Sequence, residues 1–114
     1  MIATELKALA TALEAEYPED PINAGLDPKQ LNTPCVWVTL DAVTDWTLAG
    51  KGEVRARLVL IVGDNDQLRA IEQLDALLER VAAVVTPMSD VLPTTYTKPG
   101  SSTPLPALTF THDI

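Results

Sequence analysis

The stretch from Gly52 to Val85 constrains the fold more than any other part of the chain, because its hydrophobic period changes in mid-course. Glu53, Arg55 and Arg57 fall on one side of an alternation; Val54, Ala56, Leu58, Leu60 and Val62 fall on the other. That is period two, the mark of a strand with one buried face. From Leu58 to Val62 both faces are apolar, so that end is expected to be covered on both sides. Gly63 breaks the strand. Leu68, Ile71, Leu74, Leu78, Val81 and Val85 then recur at helical spacing, broadened by Leu77 and Val84, and are expected to form a buried stripe. Arg69, Glu72, Gln73, Glu79 and Arg80 occupy the polar face, and Pro87 marks the stop. Asp64 or Asn65 is the expected cap, with Asp64 and Gln67 at capping-box spacing.

The rest of the chain is arranged around this unit. Ile2, Leu6, Leu9, Leu13 and Tyr17 form a helical stripe that Pro18 ends. Residues 18–34, interrupted by four prolines, read as an irregular connection that is functional or lies against the surface. Cys35 to Leu40 alternates as a strand, with Val36, Val38 and Leu40 on one face. It pairs with the following strand in a hairpin whose long tip spans about residues 41–51. Two short extended pieces close the chain. Val91 to Thr97 carries Pro93, which favours an edge or a bulge; a turn at Lys98–Gly100 leads towards the second, Leu105 to Thr111. The expected architecture is α+β in a single domain over residues 1–114. It has a mostly antiparallel sheet of about four strands with two helices on one face, in the order helix-strand-strand-helix-strand-strand.

At 114 residues the chain matches one domain with one core. Eight bases against sixteen acids give a net charge of −8. That repels phosphate backbones and anionic membrane surfaces, so neither nucleic-acid binding nor membrane association is expected. No run approaches the ~20 apolar residues of a bilayer span. The N-terminal residues lack the pattern of a secretory leader. Cys35 is the only cysteine, so no internal disulfide can form, which fits a reducing compartment.

Catalytic constellations are scarce. His112 is the only histidine, and no spacing supports pairing it with Cys35 as a nucleophilic site. Cys35 reads as a small packed residue. Asp64-Asn65-Asp66 resembles the start of a calcium loop, but Arg69 and Asp75 stand where glycine and glutamate are needed. No phosphate-binding glycine motif is present, since Ala49-Gly50-Lys51-Gly52 precedes a strand. The expectation is a non-enzyme without cofactor or metal. Trp46 in a polar hairpin tip stands out, because tryptophan is enriched at protein interfaces.

Taken along the chain, "NTPCVWVTL", the long hairpin, "VRARLVLIVGDNDQLRAIEQLDALLERV" and "TTYTKPGSSTPLPALTFT" resemble the tail terminator, or tail-completion, proteins of long-tailed bacteriophages. The strand that ends in Val62-Gly63-Asp64 and runs straight into a helix carries most of the likeness. The "LPAL" before the final strand carries the next share. The resemblance implies a structural virion protein, assembled in the host cytoplasm and located at the head-proximal end of the tail. Such proteins form a ring, typically hexameric, that stops polymerisation of the tail tube and joins it to neck or head-completion proteins. DNA passes through the lumen without specific binding. Asp41, Asp45, Trp46 and Lys51 of the hairpin are then the expected contacts to a neighbouring subunit or the tube. Arg55 and Arg57, with Glu72 and Glu79 of the second helix, are the expected inter-subunit charge pairs. Exposed pairs are weak and would set register more than affinity. The alternatives are another head–tail connector or neck protein and, from a different class, a small monomeric or dimeric ligand-binding or adaptor domain.

Overall fold

A computed structural model describes residues 2–44, 52–63 and 66–114. The elements run α1 (Ile2–Ala15), β1 (Ala24–Gly25), a 3-10 turn (Pro28–Gln30), β2 (Cys35–Thr44), β3 (Glu53–Ile61), α2 (Gln67–Ala82), β4 (Leu92–Tyr96) and β5 (Leu105–Asp113). The class is α+β, as expected. The sheet has five strands in the order β1-β2-β3-β5-β4, one more than the sequence predicts. The additional strand, β1, is two residues long and parallel to β2, so the sheet is mixed. It lies inside the proline-rich connection, too short to show any alternation.

Both helices cover one face of the sheet, here the inner face. Leu6, Ala10 and Leu13 of α1 and Leu74, Leu77 and Val81 of α2 pack on Val36, Val38, Ala56, Leu58, Leu60 and Phe110. The α2 stripe is narrower than its sequence implies: Leu68 and Ile71 are 66% and 55% exposed. At about 100° per residue, Ile71 lies roughly 80° and Leu68 roughly 140° round the helix from buried Val81. Asp66 caps α2 by accepting from the Leu68 and Arg69 amides at 3.1 and 3.2 Å. The expected caps, Asp64 and Asn65, lie outside the described residues.

The outer face is divided in two. At one end Leu31, Cys35, Val59, Ile61 and Ala107 form a second small cluster, with Trp37, Tyr96 and Leu105 packed against it. The connection containing Leu26–Leu31 lies over this end. The Trp37 indole Nε1 donates to the Leu26 carbonyl at 3.1 Å, and Lys98 Nζ donates to the Leu31 carbonyl at 3.2 Å. This is the two-sided burial that the apolar end of β3 predicts. Gly63 sits where a Cβ would stand 2.5 Å from Thr33 Oγ1, so close chain approach explains the glycine. Gly100, at φ 83°, makes the Lys98–Ser101 turn.

The β2–β3 hairpin carries one irregularity. Leu40 faces Ala56 and Ala42 faces Arg55, which leaves Asp41 as an extra residue in β2. Beyond it the alternation changes phase, and Val43 joins Val54 on the inner face. Strand pairing extends to Thr44 and Glu53, so residues 41–44 belong to β2 and not to the tip. β5 runs without a bulge, with Leu108 and Phe110 both on the inner face opposite Leu60 and Leu58.

Candidate functional site

Three surfaces could carry function. The first is the bare half of the outer sheet face. The cross-strand pairing that puts Arg55 opposite Asp113 allows Arg55 Nε to donate to Asp113 Oδ1 at 2.8 Å. The bulge at Asp41 brings its carboxylate against Arg57, whose Nη2 and Nε lie 2.5 and 3.1 Å from Oδ1. The two pairs span three strands, β2, β3 and β5, and threonines 39 and 111 stand on the same face. Asp113 raises the basicity of the Arg55 guanidinium, first by hydrogen bonding and then by its charge. Of the expected interface residues, the structure therefore brings together Asp41, Arg55 and Arg57. Glu72 and Glu79 are exposed on α2, on the other side of the sheet, and both arginines already have partners within the chain. Asp45, Trp46 and Lys51 lie outside the described residues.

The second surface is a groove on the inner face that none of the sequence expectations contains. Helices pack about 8–10 Å apart and strands stand about 4.8 Å apart, so one helix covers about two strands. α1 rests on β1, β2 and β3, and α2 on β3 and β5. Among the described residues, neither helix makes more than marginal contact with β4. The resulting open cavity, about 670 Å³, has Ile71 and Leu78 of α2 as one wall and Pro93, Pro106 and Leu108 of the strands as floor. Glu72 and Asp75 are the only ionisable residues lining it among the described residues. The signal available in the sequence was the width of the α2 stripe, eight apolar positions where one sheet face accepts about half a helix circumference.

The third is the junction of the helix ends. Arg80 of α2 lies over the Tyr17 ring, 4.7 Å from its centroid, and donates to the Asp20 carbonyl. It fastens α2 to the chain just after α1, a structural task. His112 has one too: its Nδ1 lies 2.9 Å from the Thr86 carbonyl, which holds the segment after α2 against β5. Cys35 is 2% exposed, and burial pushes its thiol pKa up, opposed by the charge of Lys98. A buried thiol held protonated is a poor nucleophile. Among the described residues no group of three or more histidines, cysteines or carboxylates is placed to hold a metal ion, and no helix is long and apolar enough to cross a membrane. The chain matches no protein-family model, no curated protein and no solved structure.

Proposed function

We propose that the protein is a structural subunit of a phage tail, of the tail terminator kind, that closes into a ring on the head-proximal end of the tail tube. In this reading the ring stops tube growth and presents a surface to neck or head-completion proteins, and it does no chemistry. One structural observation supports docking of this chain to another protein, as a subunit that presents a surface to its neighbours in the tail would need. The flank of the molecule formed by α2 leaves Leu68 and Ile71 more than half exposed beside an open apolar groove. Monomeric proteins rarely leave large apolar patches uncovered, and such patches mark interaction sites. The position in the tail rests on the sequence resemblance. The acidic chain, at net charge −8, suits a lumen that DNA crosses without being gripped.

The experiment is negative-stain imaging of the purified protein, alone and mixed with tail tubes assembled from the tube protein of the same phage. Rings, or tubes capped at one end and no longer growing, are the expected result. A monomer or dimer that leaves tube ends and tube growth unchanged would overturn the reading. The groove favours a second reading, a small adaptor or ligand-binding domain that works without a ring. Sedimentation velocity separates the two by size.

A further inference from the structure

We infer that the groove between α2 and β4 receives a basic amphipathic helix from a different protein. Four observations converge on that occupant. The vacancy lies in the helical layer: among the described residues α1 and α2 lie over the other strands, and neither makes more than marginal contact with β4. Its floor is made of side chains on a sheet face, Pro93 and Leu108 among them, and a helix packs on such a face. A strand would instead have to add to the free edge of β4, where Pro93 offers no amide. The wall from Gln67 to Leu78 runs about 17 Å at 1.5 Å per residue, room for about three helical turns.

The charge of the rim selects the partner. Ile71 and Leu78 supply apolar contact of the kind that anchors at i, i+3/i+4 and i+7 of a docked helix use. Glu72 and Asp75 stand beside them and would pair with Lys or Arg on the flank of that helix. A second copy of this chain would bring a net charge of −8 to an acidic rim, which works against self-docking. The inference goes beyond the ring reading and does not need it, because the groove lies within one subunit.

The probe is a synthetic amphipathic peptide of about 16 residues, long enough for the three turns above with ends to spare. It carries Leu and Ala on one face and Lys and Arg on its flanks; a second peptide replaces the bases with Glu. Binding is read by fluorescence anisotropy and by amide shifts in isotope-labelled protein. The expected result is saturable binding of the basic peptide, shifts confined to α2, β4 and β5, and at least tenfold weaker binding of the acidic one. Ile71→Glu, at an exposed position, weakens binding at least tenfold. The pair Glu72→Lys and Asp75→Lys weakens it several-fold. The remote pair Glu16→Lys and Glu19→Lys, which changes net charge equally, leaves it within twofold. No binding of the basic peptide, equal binding of both peptides, or equal losses from the groove and remote charge reversals would overturn the inference. Sedimentation of the same samples reports the oligomer independently, so a failed groove and a failed ring reading are told apart.

Discussion

The two helices are alike in sequence logic and unlike in their fate. Each has an apolar stripe against the same sheet face. That of α1 is absorbed: Leu6, Ala10 and Leu13 are buried, and Ile2 and Leu9 pack against the core. That of α2 is split. Ala70, Leu74, Leu77 and Val81 are buried, while Leu68 and Ile71 look outwards beside an unfilled strand. The difference lies in the neighbours and not in the periodicity. α1 sits over the short edge β1 and the hairpin, with nothing left to cover beyond it. α2 has β4 beyond it. An apolar side chain on a helix shows where packing is possible; only the next element in the layer decides whether it happens.

The comparison breaks most visibly at its two extremes. Leu13 is fully buried, so Leu13→Ala is expected to cost about 2–5 kcal/mol in chemical denaturation. Ile71→Ala, at an exposed position, is expected to stay within about 0.5 kcal/mol. Equal losses would mean that α2 is covered after all. Next comes the strand-to-helix junction. Gly63→Ala puts a Cβ 2.5 Å from Thr33 Oγ1 and is expected to cost about 1–3 kcal/mol, measured by thermal unfolding. Asp66→Ala removes the acceptor for two amides of α2 and is expected to cost about 1 kcal/mol. Hydrogen exchange should then speed up in the first turn of α2 and leave α1 unchanged.

Smaller effects are expected on the outer face. Arg57→Ala, which removes a half-exposed pair with Asp41, is expected to cost about 0–1 kcal/mol, and less at high salt. Cys35 sharpens the contrast between the covered and bare halves of that face. Its thiol keeps its proton to higher pH in the folded chain than in the unfolded one, which ionises at about 8.5. Its contribution to stability is therefore complete below that pH and is lost as pH rises through the raised folded value. Denaturation midpoints of the wild type should fall across this alkaline range more steeply than those of Cys35→Ala. Parallel curves would show that the covering by Leu31 is loose.

Much of this was legible in the sequence because the signals were periodic. Alternation at Val54–Val62 and helical spacing after Gly63 located β3 and α2, and the turn at Gly100 followed from residue type. β1 was not legible, since two residues show no period and their pairing with Val36 and Trp37 is a tertiary event. Nor was the cap legible as Asp66, because three consecutive residues, Asp64, Asn65 and Asp66, offer equivalent side-chain oxygens. For the candidate site, the sequence singles out Asp41, Arg55 and Arg57 but assigns them to different contacts, Asp41 to the hairpin tip and the arginines to Glu72 and Glu79; the Asp41–Arg57 pairing depends on a bulge that no local pattern announces. The groove was hidden in plain view, as Leu68 and Ile71 fit a buried stripe as well as an exposed one.

The extra residue at Asp41 gives the hairpin one position at which its length is free to change. Removing Asp41 would join Leu40 to Ala42 and leave every later partner in place, Ala42 with Arg55 and Val43 with Val54. Removing Val38 instead would turn each residue between it and the bulge to the opposite face. A shortened chain lacking Asp41 should therefore keep the hairpin register and lose only the anchor of Arg57. One residue of β2 can come and go while its neighbours are fixed in number.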